Sequence, residues 1–433
     1  MRLTRNALIQ RFHTYGCPDD RWRIGAEFER IVLHGDGRPL SYDEEHGVRW
    51  VLVELCDRFG WEPVLEDDRP IALLREGAST TLEPGGQIEL SGAPHASLHS
   101  VCEEALTSFG ELRSIGEDHD HHMVALGLTP FTPIDEIPWI PKGRYAVMRR
   151  YLPERGPLAA VMMKGTSSFQ ANFDYRDEAD CARKVACMAR LAPLTTAIFA
   201  NSPWLAGQDT GYASYRGHVW TRTDPDRTGV DAELVENWSH EAWVDRLLAV
   251  PMMFLKKDGA WLPAGGMPFG RWMEDGHEGQ FPTWDDWELH MTSVFPEVRV
   301  KRTLEVRGAD ACPLNIALGG IALWTAILYD DIALDSALAL GRELASSGTH
   351  EERFEAACRS GLAADLAGRR ASAWARDLVA IAGRGLARSR PGERALLEPL
   401  EAMVAHGDSP AVAVRRILSE CTSPRRCLRR VLY

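Results

Sequence analysis

The chain has 433 residues, of which 45% are apolar and 26% charged, enough to bury a substantial core in one large domain or a few smaller ones. Its net charge of −13 excludes a general nucleic-acid or anionic-membrane binder, but not phosphates that a metal ion holds against carboxylates. The nine cysteines are scattered, with no CxxC and no Cys–His cluster at zinc spacing, which suits buried thiols in a reducing cytoplasm.

Taken in order, Met1–Phe12 predicts an amphipathic helix capped by Thr4, without the apolar run or cleavage site of a signal peptide. Trp22–Leu33 alternates as a strand, with Glu27 and Glu29 on one face and Ala26 and Phe28 on the other. Val48–Phe59 has helical spacing and stops at Gly60; Trp61–Leu65 and Ile71–Leu74 are short strand candidates. In the stretch Thr80–Gly92 a Pro84-Gly85-Gly86 turn separates Glu83 from Glu89, and Gln87, Glu89 and Ser91 share a strand face opposite Ile88 and Leu90. Taken alone, this is a solvent-facing amphipathic strand after a turn.

Ala96–Ile115 is helical and ends at Gly116. The run Glu117-Asp118-His119-Asp120-His121-His122 has the composition of a metal tract, yet its place before the strand Met123–Leu128 reads as a solvated loop. Pro130–Pro141 is extended, and Tyr145–Tyr151 is helical. In Ser167–Tyr175, Ser168, Gln170, Asn172 and Asp174 share one face, as in a sheet that lines a cavity. Ala179–Phe199 is a long helix, and Tyr215–Gly229 is dense in arginine and aromatic residues. On a single strand, Arg299, Lys301, Thr303, Glu305 and Arg307 would share a face.

Ala311–Tyr329 carries no charge, but Pro313, Asn315 and Gly319-Gly320 make it a buried core helix rather than a membrane span. Beyond Asp331 the chain is alanine-rich and helical. Strands rarely alternate with helices as βαβ units, so the fold class is α+β with a largely antiparallel sheet.

Carboxylates thus lie on the polar faces of separated strands: Glu27 and Glu29, Glu83 and Glu89, and Glu305. Crowded carboxylates repel one another, and a hard divalent cation such as Mg2+ or Mn2+ removes that repulsion. Mg2+ usually completes its shell with phosphate oxygens, which makes ATP its natural companion. There is no Walker A loop and no dinucleotide glycine motif between strand and helix. Arg144, Arg216, Arg222, Arg227, Arg299, Lys301 and Arg307 are candidate phosphate or carboxylate binders, although for each alone a surface ion pair is the default. His218 alone reads as a structural histidine.

Several segments carry a resemblance in matching order and spacing. They are Gly25-Ala26-Glu27-Phe28-Glu29, Ser91-Gly92-Ala93-Pro94, Pro141-Lys142-Gly143-Arg144-Tyr145, Phe199-Ala200-Asn201-Ser202-Pro203 and Arg216-Gly217-His218-Val219-Trp220. Asp226-Arg227-Thr228-Gly229, Phe295-Pro296-Glu297-Val298-Arg299 and Glu305-Val306-Arg307-Gly308-Ala309-Asp310 complete the set. Together they resemble the plant-type glutamate–cysteine ligases, also found in many bacteria, among the glutamine-synthetase-like carboxylate–amine ligases.

The resemblance implies a funnel-like antiparallel sheet flanked by helices. It implies a single catalytic domain over 1–433, with 331–433 a mainly helical portion packed on it. ATP would phosphorylate the γ-carboxylate of glutamate, and the amino group of cysteine would attack the acyl phosphate, the first step of glutathione-type thiol synthesis. Glu27, Glu29, Glu83, Glu89 and Glu305 match acidic metal positions, with Mg2+ expected and Mn2+ an alternative. Arg144 and Arg216 match glutamate-holding arginines, and Gln170 and Met253 fall on the substrate side. Arg307 matches a phosphate contact, with Arg299 and Lys301 beside it, and Arg307 and Arg216 are the expected catalytic pair. The expected setting is a cytoplasmic monomer or homodimer acting on small molecules, without nucleic acid or membrane.

This chain departs from the family pattern on the acceptor side. It has Gly165-Thr166-Ser167-Ser168-Phe169-Gln170 where the family has an arginine before the threonine and then Cys-Thr-Val-Gln. It has Pro251-Met252-Met253-Phe254 where the family has Pro-Met-Tyr-Phe. A γ-glutamyl ligase using another amine is therefore the alternative, and an inactive ATP- or amino-acid-binding homologue a third reading, disfavoured because the clustered carboxylates remain. Cys102 matches one regulatory cysteine of plant members, but Leu318 falls at its partner's position, so that redox switch is expected to be absent.

Overall fold

A computed structural model describes residues 2–277 and 279–431; Met1 lies outside them. A sheet of nine strands organises the molecule. The strands are β1 (Ile24–His34), β2 (Glu62–Glu66), β3 (Arg69–Arg75), β4 (Ala78–Leu82), β5 (Ile88–Ser91), β6 (His121–Val124), β7 (Phe169–Phe173), β8 (Val298–Val300) and β9 (Leu304–Val306). Their order is β8-β9-β7-β1-β5-β4-β3-β2, with β6 paired to the far end of β1, and every pairing is antiparallel.

The fold is therefore the α+β class expected, with a large antiparallel sheet flanked by helices. Local signals set the helix ends. Thr4 accepts a hydrogen bond from the Ala7 amide at 3.2 Å and caps Arg5–His13, while Gly60, at φ 72°, ends the helix Val48–Phe59.

Alternation divides the sheet into two faces. Ala26, Phe28, Ile88, Leu90, Phe169 and Phe173 are buried on the apolar one. Phe28 meets Phe109 of the helix Leu98–Gly116 edge to face at 5.8 Å. The charge-free segment is the helix Leu314–Leu328, buried along nearly its whole length. A Cβ on its Gly320 would lie 2.7 Å from the Phe169 ring, so the missing side chain lets this helix seat against β7. It bends by 101° into Asp331–Leu344, and no single described helix is long and apolar enough to cross a membrane.

The segment around Glu305 differs from expectation. It is a hairpin, β8 and β9, joined by a turn in which the Lys301 amide donates to the Thr303 carbonyl at 3.0 Å. Arg299 and Glu305 are consequently direct cross-strand partners rather than distant residues on one strand.

Candidate active site

The polar face of the sheet gathers the carboxylates. Glu29 on β1 lies opposite Glu89 on β5, and Glu27 lies opposite Gln170 on β7. Asn172 on β7 lies opposite Glu305, which in turn lies opposite Arg299. Glu83 joins them from the end of β4 through the Pro84-Gly85-Gly86 turn, where the Glu83 amide donates to the Gln87 carbonyl at 2.9 Å.

The turn needs its glycines. Gly86 has φ 88°, and a Cβ on Gly85 would stand 2.2 Å from the Lys164 carbonyl oxygen. Gln87 does not share the Glu89 face as the alternation suggested. Its side chain is buried beneath the turn, accepting from the Gly85 amide at 2.9 Å and donating to the Thr166 carbonyl at 2.8 Å.

Neighbouring donors orient each carboxylate. Glu29 accepts from the Ser168 amide at 2.7 Å, the Ser168 hydroxyl at 2.9 Å and the Gln170 amide at 3.2 Å. Asn172 donates to Glu27 at 2.8 Å, and Thr81 and Ser91 donate to Glu89 at 2.7 and 3.2 Å. These bonds favour ionisation, yet burial, followed by Glu83 and Glu89, pushes the Glu29 carboxyl up to about 8. Burial, then Glu305 and Glu89, pushes Glu27 up to about 7, and Glu89 is raised by burial and by Glu83. The face is short of positive charge.

Glu305 is different. Burial would raise its carboxyl, but Arg299, Arg307 and Lys301 outweigh that effect and hold it well below the usual range. Arg299 Nε and Nη2 donate to its two oxygens at 2.7 and 2.8 Å, Lys301 Nζ stands 3.4 Å away, and Arg307 also donates. Both oxygens are already neutralised, and Glu305, expected at a metal position, here organises cations of the protein. Arg299, expected on the phosphate side, is engaged with it. Its remaining nitrogen donates to the Thr292 and Val294 carbonyls at 3.2 and 3.0 Å, so every nitrogen is engaged away from a phosphate.

Three arginines keep donors in hand. Arg307 bonds Gln170 at 2.5 Å and Glu305, both through one terminal nitrogen, Nη1. Arg216 is buried; its Nη2 donates to the Arg307 carbonyl at 3.1 Å, and among the described residues its Nε has no hydrogen-bond partner. Arg144 bonds the Tyr145 hydroxyl at 3.1 Å, and its buried Nε is likewise unpartnered. Tyr145, and after it Glu83 and Glu89, raise the Arg144 pKa, which puts Arg144 at the glutamates' end of the face.

Sequence reasoning missed the parts that hold these arginines in place. Buried Asp310 accepts from the Asn201 amide at 2.7 Å and from the Ser202 and Ser214 hydroxyls at 2.7 and 2.9 Å, with Arg216 Nη1 at 4.0 Å. Lys142 Nζ and the Tyr145 hydroxyl donate to the Leu82 carbonyl at 2.8 and 2.6 Å, clamping the strand end before Glu83. Only the quoted motifs that contain Lys142 and Tyr145, Asn201 and Ser202, and Asp310 hinted at any of this. Met253 is not brought to the site. It is 1% exposed and lines a small cavity with Trp272, Leu289 and His290, apart from the carboxylates. A cavity of about 710 Å3 lies beyond the hairpin against Val298, Val300, Trp238 and Trp243, and Glu27, Glu29, Glu83, Glu89 and Glu305 do not line it.

The glutamate–cysteine ligase family 2 signature matches residues 23–426 of this chain. The chain belongs to glutamate–cysteine ligase family 2. It is 36% identical over 426 residues to the chloroplastic glutamate–cysteine ligase A of Oryza sativa subsp. indica, covering 94% of this chain and 83% of the relative. It is 37% identical over 418 residues to the chloroplastic glutamate–cysteine ligase of Nicotiana tabacum, covering 94% and 78%. Among solved structures, a glutamate–cysteine ligase from Francisella tularensis in complex with AMP superposes with a TM-score of 0.57 at 12% identity, covering 95% of this chain and 88% of that one. That likeness is one of fold.

The plant relatives also overturn the expected cytoplasmic location, because they are named as chloroplastic enzymes. Scattered reduced thiols fit any reducing compartment, and cysteine usage could not tell one from another.

Proposed function

We propose that the polar face of the sheet is the active site of an ATP-dependent ligase that joins the γ-carboxylate of L-glutamate to the amino group of L-cysteine. Family membership over nearly the whole chain supports the reaction class. The observation that carries the site assignment is Glu29, whose carboxyl is pushed to about 8 although three hydrogen bonds favour its ionised form. A face built this way asks for cations.

Glu27, Glu29, Glu83 and Glu89 are the residues that would hold Mg2+, with Mn2+ as a substitute. The donor set fits: all are carboxylate oxygens, hard ligands for a hard ion. Among the described residues, no three of these carboxylates bring their oxygens within 4.8 Å of one another. That spacing suits Mg2+, which takes one or two carboxylates and fills its shell with water and phosphate oxygens. When bound, the ion supplies charge neutralisation to the phosphates of ATP.

The chain's own residues do the rest. Arg144 and Arg216, each with an unpartnered buried Nε, hold substrate carboxylate bidentately. Arg307, steered by Gln170 and Glu305, presents its free donors to the phosphoryl group in transfer, and Lys301 adds charge beside it. Arg299 acts through Glu305 and is a positioning residue. The γ-carboxylate oxygen attacks the terminal phosphorus of ATP, ADP leaves, and the cysteine nitrogen then displaces phosphate from the γ-glutamyl phosphate. We propose that 1–433 works as one catalytic domain, with 331–433 its packed helical portion.

Glutamate-dependent ATP hydrolysis with Mg2+ and a panel of amino acids tests the proposal. Cysteine is expected to give the highest turnover. Faster turnover with another amine would replace the acceptor, and no glutamate-dependent turnover with any amine would overturn the reading.

A further inference from the structure

Away from the polar sheet face, three side chains from separate helices converge. His13 is the last residue of Arg5–His13, Glu178 opens Glu178–Ile198, and His240 opens His240–Ala249. The two Nδ1 atoms are 3.2 Å apart, and the Glu178 carboxylate oxygens stand 4.0 Å from His13 Nδ1 and 3.9 Å from His240 Nδ1. Among the described residues this is the only group of three or more histidine, cysteine or acidic side chains whose ligand atoms all lie within 4.8 Å of one another.

We propose that His13, Glu178 and His240 form a Zn2+ site that fastens the N-terminal helix to the body of the protein. Zinc–nitrogen bonds of about 2.0–2.1 Å at tetrahedral angles put two ligand nitrogens about 3.3–3.4 Å apart, close to the observed separation. Closing one carboxylate oxygen onto the same ion takes an approach of at least about 0.5–0.6 Å toward both nitrogens, from the 3.9 and 4.0 Å that the two oxygens now keep to His240 and His13. Two histidines and one carboxylate form a zinc donor set with a fourth position for water.

The surroundings support the set. The His240 backbone amide donates to Glu178 Oε1 at 2.6 Å and aims the carboxylate. The His240 ring is 1% exposed and packs against Phe12 and Trp238, which fixes its direction. The solvent side is open, because the His13 and Glu178 side chains are 40% and 37% exposed. The two imidazole Nδ1 atoms face each other beside the carboxylate, with the rings edge to face at 4.7 Å.

The position gives the site a purpose. Arg5 already pairs with Glu241 and Asp245 of the His240 helix at 2.7 and 2.5 Å, and zinc would fasten the other end of the same contact. That helix runs directly into Pro251–Phe254, and the Glu178 helix follows the strand carrying Gln170 and Asn172. This proposal stands independently of the ligase assignment.

The test is Zn2+ alone, competed against a chromophoric chelator, on full-length protein stripped of metal and held in saturating Mg2+ to occupy the sheet carboxylates. Wild type is expected to bind about one equivalent and to gain thermal stability from it; His13→Ala at the exposed helix end should weaken binding at least about 100-fold and abolish the gain. Glu178→Gln should weaken binding by about 10- to 100-fold. His121→Ala, in the histidine-rich run Glu117–His122, should change neither. A tetrahedral Co2+ absorption spectrum that disappears in His13→Ala would agree. Absence of saturable binding, equal binding by His13→Ala, or loss of binding in His121→Ala instead would overturn the proposal.

Discussion

Glu305→Gln separates two roles for the acidic residue of the β8–β9 hairpin. The substitution keeps shape and removes one charge from a fully buried group that satisfies Arg299 at 2.7 and 2.8 Å, Lys301 at 3.4 Å and Arg307. Removing one partner of a buried ion pair leaves the other charge uncompensated, at a cost of about 3–5 kcal/mol. Arg299 cannot relax into water, since it is 6% exposed and its other nitrogen is held by the Thr292 and Val294 carbonyls. Urea unfolding in the presence of a chelator measures the loss without any contribution from bound metal. The expected result is a lower midpoint, an unchanged m value and a loss of about 3–5 kcal/mol. Arg299→Met with Glu305→Met should recover only the part of that loss that comes from Arg299, because Lys301 and Arg307 are still left without Glu305. A single-variant loss below about 1 kcal/mol, with Mg2+ affinity reduced instead, would refute the reasoning and return Glu305 to the metal ligands.

Glu89→Gln should do the reverse: turnover falls at least about 100-fold, while chelator-treated protein becomes about 1–2 kcal/mol more stable at pH 8, as repulsion on Glu27 and Glu29 is relieved. Retained activity, or lower stability, would remove Glu89 from the set. Gly85→Ala should lose about 2 kcal/mol or more together with activity, since its Cβ would stand 2.2 Å from the Lys164 carbonyl; an unchanged denaturation midpoint would contradict this. His290 is buried, donates from Nε2 to the Leu247 carbonyl at 2.8 Å, and is pulled by burial down to about 4. Because its folded value lies below the unfolded 6.5, its stabilisation is complete above pH 6.5 and is lost as pH falls toward 4, by about 3 kcal/mol in all. His290→Gln should flatten the stability–pH slope between those limits, and an unchanged slope would refute it.

Strand periodicity made the site legible where each strand has one apolar and one polar face. Glu27, Glu29, Glu89, Gln170 and Asn172 all follow from a period of two, and the structure puts them on one face. Periodicity failed where the backbone turned without breaking the pattern. The alternation of Arg299 to Arg307 runs unbroken across the turn at 301–303, so the hairpin, and with it the Arg299–Glu305 pairing, was invisible. Gln87 failed for a related reason: the positive φ of Gly86 rotates the residue after it beneath the turn. Met253 was judged by comparison with a family pattern, which reports residue identity and not the direction of a side chain. Asp310, Ser202 and Ser214 lie up to 108 residues apart in sequence, and only tertiary packing makes them a seat for Arg216.

The account rests on activation of the glutamate γ-carboxylate by phosphoryl transfer on the carboxylate-lined face. Oxygen transfer tests this most directly. Glutamate carrying 18O in its γ-carboxylate is incubated with ATP, Mg2+ and cysteine, and the released phosphate is analysed by mass. The account predicts one labelled oxygen in the phosphate for each γ-glutamylcysteine formed, because the carboxylate oxygen that attacks phosphorus leaves with it. Product formed with no label in the phosphate would contradict it.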